Sequence, residues 1–376
     1  MTRPLYKGAT EQTDVSPDHA NMGLWFDKFC DTWTVDNGLW TMSSDTPDRN
    51  PKLGWLSQIT AGGSVGAGRQ IRETAFRMIA LAQTQGGQVT VFQTETRFVT
   101  GLGRSHPVEN GFAWHPTLGT PYLPGSSIKG LVRAWAREQG ETESTEEIDR
   151  LLGSRNQVGV LCFLDAIPTQ PVSLEIDVMT PHYGGWTEAK PPGDWRSPTP
   201  IPFLVTAPRT RFLFCIVPRG ADGKSAIATA FEWLTSALQW AGAGAKTSVG
   251  YGYMAPDDGA TASLQGEFEK LQQQRAERQR DAERRAELSP FEQALDRIAG
   301  DKKDLPRWQA WFQAVFDDKV WEQTPDDERG VLRRIREEMQ TQGRWRSKSQ
   351  KKQSSKDKDY QRTLRVMKRL EELGDE

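Results

Sequence analysis

The chain has 376 residues, enough for two or three domains, and 48 basic against 50 acidic side chains give it a formal charge of −2. That balance excludes a globally basic nucleic-acid binder, so any anion-binding surface must be local. Cys30, Cys162 and Cys215 are scattered and odd in number, which argues against a disulfide framework or a zinc site; with no apolar leader core or long apolar span, a cytoplasmic location without membrane contact is expected.

In chain order, Asn21 to Phe29 and Ile71 to Ala82 have helical spacing around a glycine-rich stretch, AGGSVGAGR. No strand precedes that stretch, so it is read as a loop and not as a dinucleotide site. Gln88 to Val99 is the first strand expected, and a long loop, Thr100 to Pro124, follows it. The segment PYLPGSSIKG, Pro121 to Gly130, then opens a helix. Its Pro-Gly turn brings Ser126 or Ser127 to the N-cap. Lys129 falls in the first turn, where a cation opposes the helix dipole unless an anion is also there. Gly125, Ser126, Ser127 and Lys129 therefore predict a site that holds a phosphodiester. Ile128, Leu131, Val132 and Trp135 form the apolar face, and Lys129, Arg133 and Arg137 line another.

Further strands are expected at Gly159 to Leu164 and Val172 to Val178. Thr180 to Pro208, with seven prolines, reads as an extended insertion. Arg211 to Val217 is apolar on both faces and reads as a central strand. A helix over Ala226 to Trp240 stops at Gly242, and Ser248 to Met254 is the last strand expected. The order β, α, β, β, α, β with long insertions predicts an α+β fold: a ferredoxin-like (RRM-like) βαββαβ domain, its antiparallel sheet covered by helices on one face.

The second glycine-rich element, AGAGAKTSVGYG (Ala241 to Gly252), is not a P-loop, because Ala245 precedes the lysine and the strand–helix order is reversed. Gly250 and Gly252, with the other glycines, would let backbone amides approach a ligand. Lys246, Thr247 and Ser248 supply a charge and two hydroxyls suited to a sugar-phosphate backbone. Tyr251 and Tyr253 are candidates for base stacking.

After Pro256 the composition changes. Lys270 to Glu287 has six basic and four acidic residues and reads as a solvated helix or flexible linker. Ser289-Pro290 starts a helix, and Pro306 to Phe316 and Pro325 to Met339 give two more. Gly343 to Lys358 carries seven Lys or Arg against one acidic residue and is expected to be disordered when free. The expected boundaries are 1–87, a segment packing on the central domain; 88–256, that domain; 257–288, a charged helical linker; 289–342, a helical module; and 343–376, a basic linker with a terminal helix. The last three make an all-helical C-terminal extension.

The pair PYLPGSSIKG and GAGAKTSVGYG, each beside a long helix, resembles the RAMP superfamily of CRISPR-associated RNA-binding proteins. Gly101-Leu102-Gly103, Trp114-His115-Pro116, Phe163-Leu164-Asp165-Ala166, Asp177-Val178-Met179 and Pro181-His182-Tyr183 extend the likeness over about residues 88 to 255. Within that superfamily the series is similar to the sixth-subunit family of the type III-B (Cmr) effector. The resemblance implies a non-catalytic subunit without cofactors. Its partners would be the CRISPR guide RNA and target RNA, together with other RAMP subunits of the complex, the backbone subunit and the terminal subunit. It would cap the backbone filament near the 3′ end of the guide. Gly125 to Lys129 and Lys246 to Gly252 would touch the RNA backbone, and His182 and Tyr183 would reach the guide–target duplex or a neighbouring subunit. The aspartate with which related backbone subunits cut target RNA has no counterpart in Gly101 to Pro124, which holds Glu109 and two histidines.

Two rival functions fit parts of the sequence. Guide-processing nucleases of the same superfamily use histidine or tyrosine without metal, and His106, His115, His182 and Tyr183 are available types. A protein–protein assembly subunit without direct RNA contact would use the Trp-rich insertion and the helical extension instead.

Overall fold

A computed structural model of the protein describes residues 20–30, 32–42, 50–138, 144–180, 200–302, 304–317 and 325–375. The chain divides into two compact units, Met1–Glu269 and Lys270–Glu376. The first holds α1 (Met22–Lys28), β1 (Trp33–Asp36), β2 (Leu39–Met42), α2 (Pro51–Ala61), β3 (Ser64–Val65), α3 (Gly68–Gln85), β4 (Gln88–Thr94), β5 (Ser105–His106) and β6 (Glu109–Asn110). It continues with α4 (Gly125–Glu138), α5 (Thr145–Leu152), β7 (Leu161–Phe163), β8 (Ile167–Pro168), β9 (Val172–Met179), β10 (Ile201–Thr206), β11 (Arg211–Pro218), α6 (Ile227–Trp240) and β12 (Met254–Pro256). Helix α7 (Asp258–Glu287) starts in this unit.

The central sheet runs β12-β4-β11-β7, with β8 also on β11, and every pairing in it is antiparallel. Alternation along β11 explains its two apolar faces. Phe212, Phe214 and Ile216 meet Ile128 and Val132 of α4 and Phe231 and Leu234 of α6. Leu213, Cys215 and Val217 meet Ile71, Ala75 and Ile79 of α3, with Phe268 of α7. Helices thus cover both faces of the sheet, where one covered face was expected. The second layer was missed because α3 lies upstream of the βαββαβ pattern and the apolar start of α7 is only one turn or two long.

The strand expected at Val172 to Val178 exists but leaves this sheet. It is the middle of a second one, β10-β9-β3. Its partner β10 lies inside the stretch read as a Pro-rich insertion. Pro202 is tolerated there because β10 is an edge strand, and Phe203, Leu204 and Val205 are buried against α1 and α2. The last strand begins at Met254, not Ser248, because Thr247–Val249 form a 3₁₀ turn.

In the second unit α8 (Pro290–Asp301), α9 (Arg307–Phe316), α10 (Pro325–Thr341) and α11 (Lys358–Glu372) enclose a core of Leu295, Trp308, Trp311, Phe312, Val331, Leu332, Ile335, Met339, Val366 and Leu370. Ser289 and Glu292 form a reciprocal capping box at the start of α8. Lys270 to Glu287, read as linker or solvated helix, belongs to α7. The segment Gly343 to Asp357, expected to lack structure, is folded around the carboxylate of Asp357, which is 1% exposed. Asp357 accepts from Arg346 Nη1 at 3.0 Å, from the Gln350 amide at 2.9 Å and, as N-cap of α11, from the Tyr360 amide at 3.3 Å. Composition missed this because a single buried acid fixes the segment through one arginine and main-chain amides.

Candidate RNA interface

The two motifs singled out in the sequence meet, but only in part. A groove of about 520 Å³ is lined by Thr100 to Gly103, by Leu123, Ser127 and Leu131, and by Ala241 to Ala245 with Thr247. Helix α4 supplies one wall and the glycine-rich loop the other.

The start of α4 is not the phosphate site the sequence predicted. The helix begins at Gly125, so Ser126 and Ser127 are exposed residues of its first turn and not its cap. The Gly125 amide donates to Asp165 Oδ1 at 2.7 Å. The Ser127 and Ile128 amides both reach the Pro124 carbonyl, at 2.8 and 3.0 Å. Asp165, 40 residues away, is the anion that the dipole attracts. Gly125 itself is buried, and a Cβ there would stand 2.2 Å from the Phe163 carbonyl oxygen, so its small size serves packing on β7.

Lys129 and Arg133 face away from the groove. With Arg137 they line a second depression of about 770 Å³, closed by Asp149 and residues 152–159. Arg133 is engaged there: it donates to the carbonyls of Leu152 at 2.9 Å and Gly153 at 2.6 Å and to Asp149 Oδ1 at 3.3 Å. It ties α4 to the end of α5, whose last carbonyls need donors.

The glycine-rich loop is pinned from three sides. The Ala245 amide donates to the Val99 carbonyl at 2.9 Å, Gly252 to Arg97 at 2.8 Å, and Ala243 to Gly252 at 2.8 Å. A Cβ on Gly252 would lie 1.9 Å from the Ala243 carbonyl oxygen, and one on Gly244 2.2 Å from that of Val99. These glycines permit backbone to pack on backbone within the protein. Gly250, by contrast, faces open space. Among the described residues the amides of Gly244, Lys246, Thr247 and Ser248 donate to no backbone carbonyl.

Lys246 has φ +62°, a left-handed conformation that costs a non-glycine residue roughly 1–2 kcal/mol. Such strain, held by the surrounding bonds, marks candidate functional positions. The Lys246 ammonium stands 5.6 Å from the ring centroid of Phe203, within cation–π range.

Tyr251 does not offer a free stacking face. Its hydroxyl donates to Asp177 Oδ2 at 2.6 Å, and its ring centroid lies 6.2 Å from that of Phe203. Partial burial, and then the Asp177 carboxylate, push the phenol up to about 12. Against the upward pull of burial, the bonds from Tyr251 and the Val178 amide and the Arg97 charge hold Asp177 below its usual 3.8. Arg97 also donates to Glu175 Oε2 at 2.8 Å. The Tyr253 hydroxyl reaches the Thr247 carbonyl at 3.4 Å, which turns it back onto the loop.

His106 and His115 are structural. His106 Nδ1 accepts from the Val108 amide at 3.2 Å, which makes Nε2 the protonated nitrogen facing the Phe26 carbonyl at 2.9 Å. His115 Nδ1 accepts from the Leu118 amide at 3.3 Å. Burial lowers both imidazoles below 6.5; the Phe26 carbonyl and Asp27 oppose it at His106, and Asp165 at His115. His182 and Tyr183 lie outside the described residues. Among the described residues no group of three His, Cys, Asp or Glu is arranged to hold a metal ion.

With that geometry in hand, residues 91–255 match the RAMP superfamily. The match covers less than half of the chain. It is similar to Cmr6 of the CRISPR system of Pyrococcus furiosus, 30% identical over 43% of this chain and 65% of that one. It is also similar to Cmr6 of Saccharolobus solfataricus, 32% identical over 42% of this chain and 54% of the relative. The chain therefore spans between about half and two thirds of these relatives' length. Among solved structures, the crystal structure of Cmr6 from Pyrococcus furiosus is 29% identical with a TM-score of 0.32, covering 46% of this chain and 97% of that one. A chain in the cryo-EM structure of type III-B Cmr-beta bound to cognate target RNA is 26% identical with a TM-score of 0.46, covering 55% and 71%. The matched span contains both walls of the groove. Sequence reasoning singled out Ser127 and Thr247 but did not select Thr100, Leu102, Gly103 or Leu131 as site residues. The Gly101-Leu102-Gly103 pattern, with Gly103 facing open space, was the signal available for them.

Proposed function

We propose that this chain is a non-catalytic RNA-binding RAMP subunit of a type III-B Cmr effector in the cytoplasm. It would cap the backbone filament near the 3′ end of the guide RNA and help hold guide and target. The strand order of the central sheet, fourth, first, third, second, supports reading it as the ferredoxin-like βαββαβ core of that family. The groove carries the functional reading. It combines a rigid backbone wall, unspent amides at Thr247 and Ser248, hydroxyls at Ser127 and Thr247, and a lysine held in a costly conformation beside it. Such a surface suits a phosphodiester chain followed along its backbone, not a base read by its edge. Asp165 and Arg133 already have partners within the protein, the Gly125 amide and the carbonyls of Leu152 and Gly153.

The nuclease reading loses its two described histidines to backbone contacts. The test is co-purification with guide RNA, followed by measured guide affinity of Lys246→Gly. Recovery of guide RNA with other Cmr subunits, and a several-fold affinity loss in the variant, is the expected result. Recovery of the subunits without RNA, or binding that does not weaken with salt, would favour the assembly-only reading.

A further inference from the structure

The basic segment after α10 is not absorbed by the groove, and it is a built surface. Its arginines and its acids neutralise one another. Arg346 pairs with Asp357 at 3.0 Å and with Asp359 at 3.7 Å, Arg344 with Asp359 at 3.1 Å, and Arg362 with Asp359 at 3.8 Å. The lysines are left over. Lys348, Lys351, Lys352, Lys356 and Lys358 are all exposed, and among the described residues none is paired with a carboxylate. Lys351 Nζ reaches only the Lys356 carbonyl, at 3.1 Å.

Between Arg346 and Asp359 there is no apolar residue; the other positions are Ser and Gln. The unit from Lys270 onward carries 26 Lys or Arg against 22 Asp or Glu, whereas the preceding residues carry 22 against 28. A surface of unpaired lysines, hydroxyls and amides on a backbone fixed by a buried acid suits phosphate oxygens. It lacks the apolar side chains that membrane insertion or a dry protein interface uses.

We propose that the loop Ser347–Lys358 is a second nucleic-acid site, which grips the phosphodiester backbone of an RNA duplex without regard to sequence. The choice of RNA over DNA rests on the reading of the groove; the phosphate chemistry does not. The backbone that carries the lysines is already fixed, so binding orders their side chains and not the loop.

The test uses the full chain and a fluorescein-labelled RNA duplex unrelated to any guide, followed by anisotropy over a salt series. The comparison is with Lys348→Gln/Lys351→Gln/Lys352→Gln/Lys356→Gln, four exposed changes checked for folding by circular dichroism. The expected result is a loss of about tenfold or more near 0.1 M salt, with the log–log salt slope smaller by about 3. Lys270→Gln, an exposed change outside both the groove and the loop, should leave duplex binding unchanged, and the guide affinity of Lys246→Gly is read separately, so failure here and failure of the groove reading are told apart. Unchanged affinity and slope in the quadruple variant would overturn the proposal. So would capture of phosphatidylserine vesicles, or of the matching DNA duplex, in place of the RNA duplex.

Discussion

The loop Ala241–Gly252 and the loop Gly343–Asp357 both present lysine on a fixed backbone, yet they are fixed in opposite ways. The first is held by main chain against main chain, and glycines allow the approach. The second is held by one buried carboxylate that gathers an arginine, amides and a helix start. A backbone-pinned loop is damaged by adding an atom, and a carboxylate-pinned loop by removing one. The contrast also separates their lysines: Lys246 sits in a strained turn, whereas Lys348 to Lys358 carry no such strain.

The largest effect should come from adding that atom. Gly252→Ala sets a Cβ 1.9 Å from the Ala243 carbonyl oxygen at a φ of +81°, and should cost the first unit about 3 kcal/mol or more in urea unfolding. A loss under about 1 kcal/mol would mean that the loop is softer than described. Next comes Asp357→Asn, which weakens the acceptor for Arg346 and the Gln350 amide. Hydrogen exchange of amides 346–360 should accelerate while those of β4 and β11 stay unchanged; equal acceleration in both would refute a local anchor. Lys246→Gly should lower guide-RNA affinity several-fold while stability is unchanged or rises by up to about 1 kcal/mol, because the left-handed strain is relieved.

Acid should separate the two units. His106 and His115 are lowered below 6.5 in the folded state. Protons therefore bind the unfolded chain more tightly, and the first unit loses stability as pH falls below 6.5. The second unit has no histidine. Its depressed carboxyls, Glu292, Asp357 and Asp375, contribute stability above their ordinary values of 4.5 and 3.8 that is lost only as pH falls through and below those values. Near-ultraviolet melts at pH 7 and pH 5 should show a drop confined to the first unit, and equal drops would contradict the assignment. Smallest in stability is Gly103→Ala, which meets nothing within 4 Å. It should stay within about 0.5 kcal/mol of the parent and still weaken RNA binding by filling the groove.

The sequence made visible whatever repeats locally. The apolar stripes of α4 and α6, the double-faced run of β11 and the Ser289-Pro290 cap lie within a few residues of one another, and each was read with close boundaries. What escaped depends on distant partners. Asp165 caps α4 across 40 residues, so the SS pair seemed the natural cap. Arg133 looks like a free cation until α5 folds beneath it. The tyrosines of the glycine-rich loop look like stacking platforms until β9 supplies Asp177. Helix α5 and the edge strand β10 have short or Pro-marked patterns, and their burial against other elements decides them.

Asp165 also bears on competition. Because it is tethered to the same chain, it presents its carboxylate to the Gly125 amide at an effective concentration in the millimolar range or above. A free anion, or one phosphate of a passing strand, would have to displace a resident that never diffuses away. Under the proposed function, the Gly125 amide would thereby be closed to a passing RNA strand. Binding would then fall to surfaces with no internal occupant, such as the Thr247–Ser248 turn.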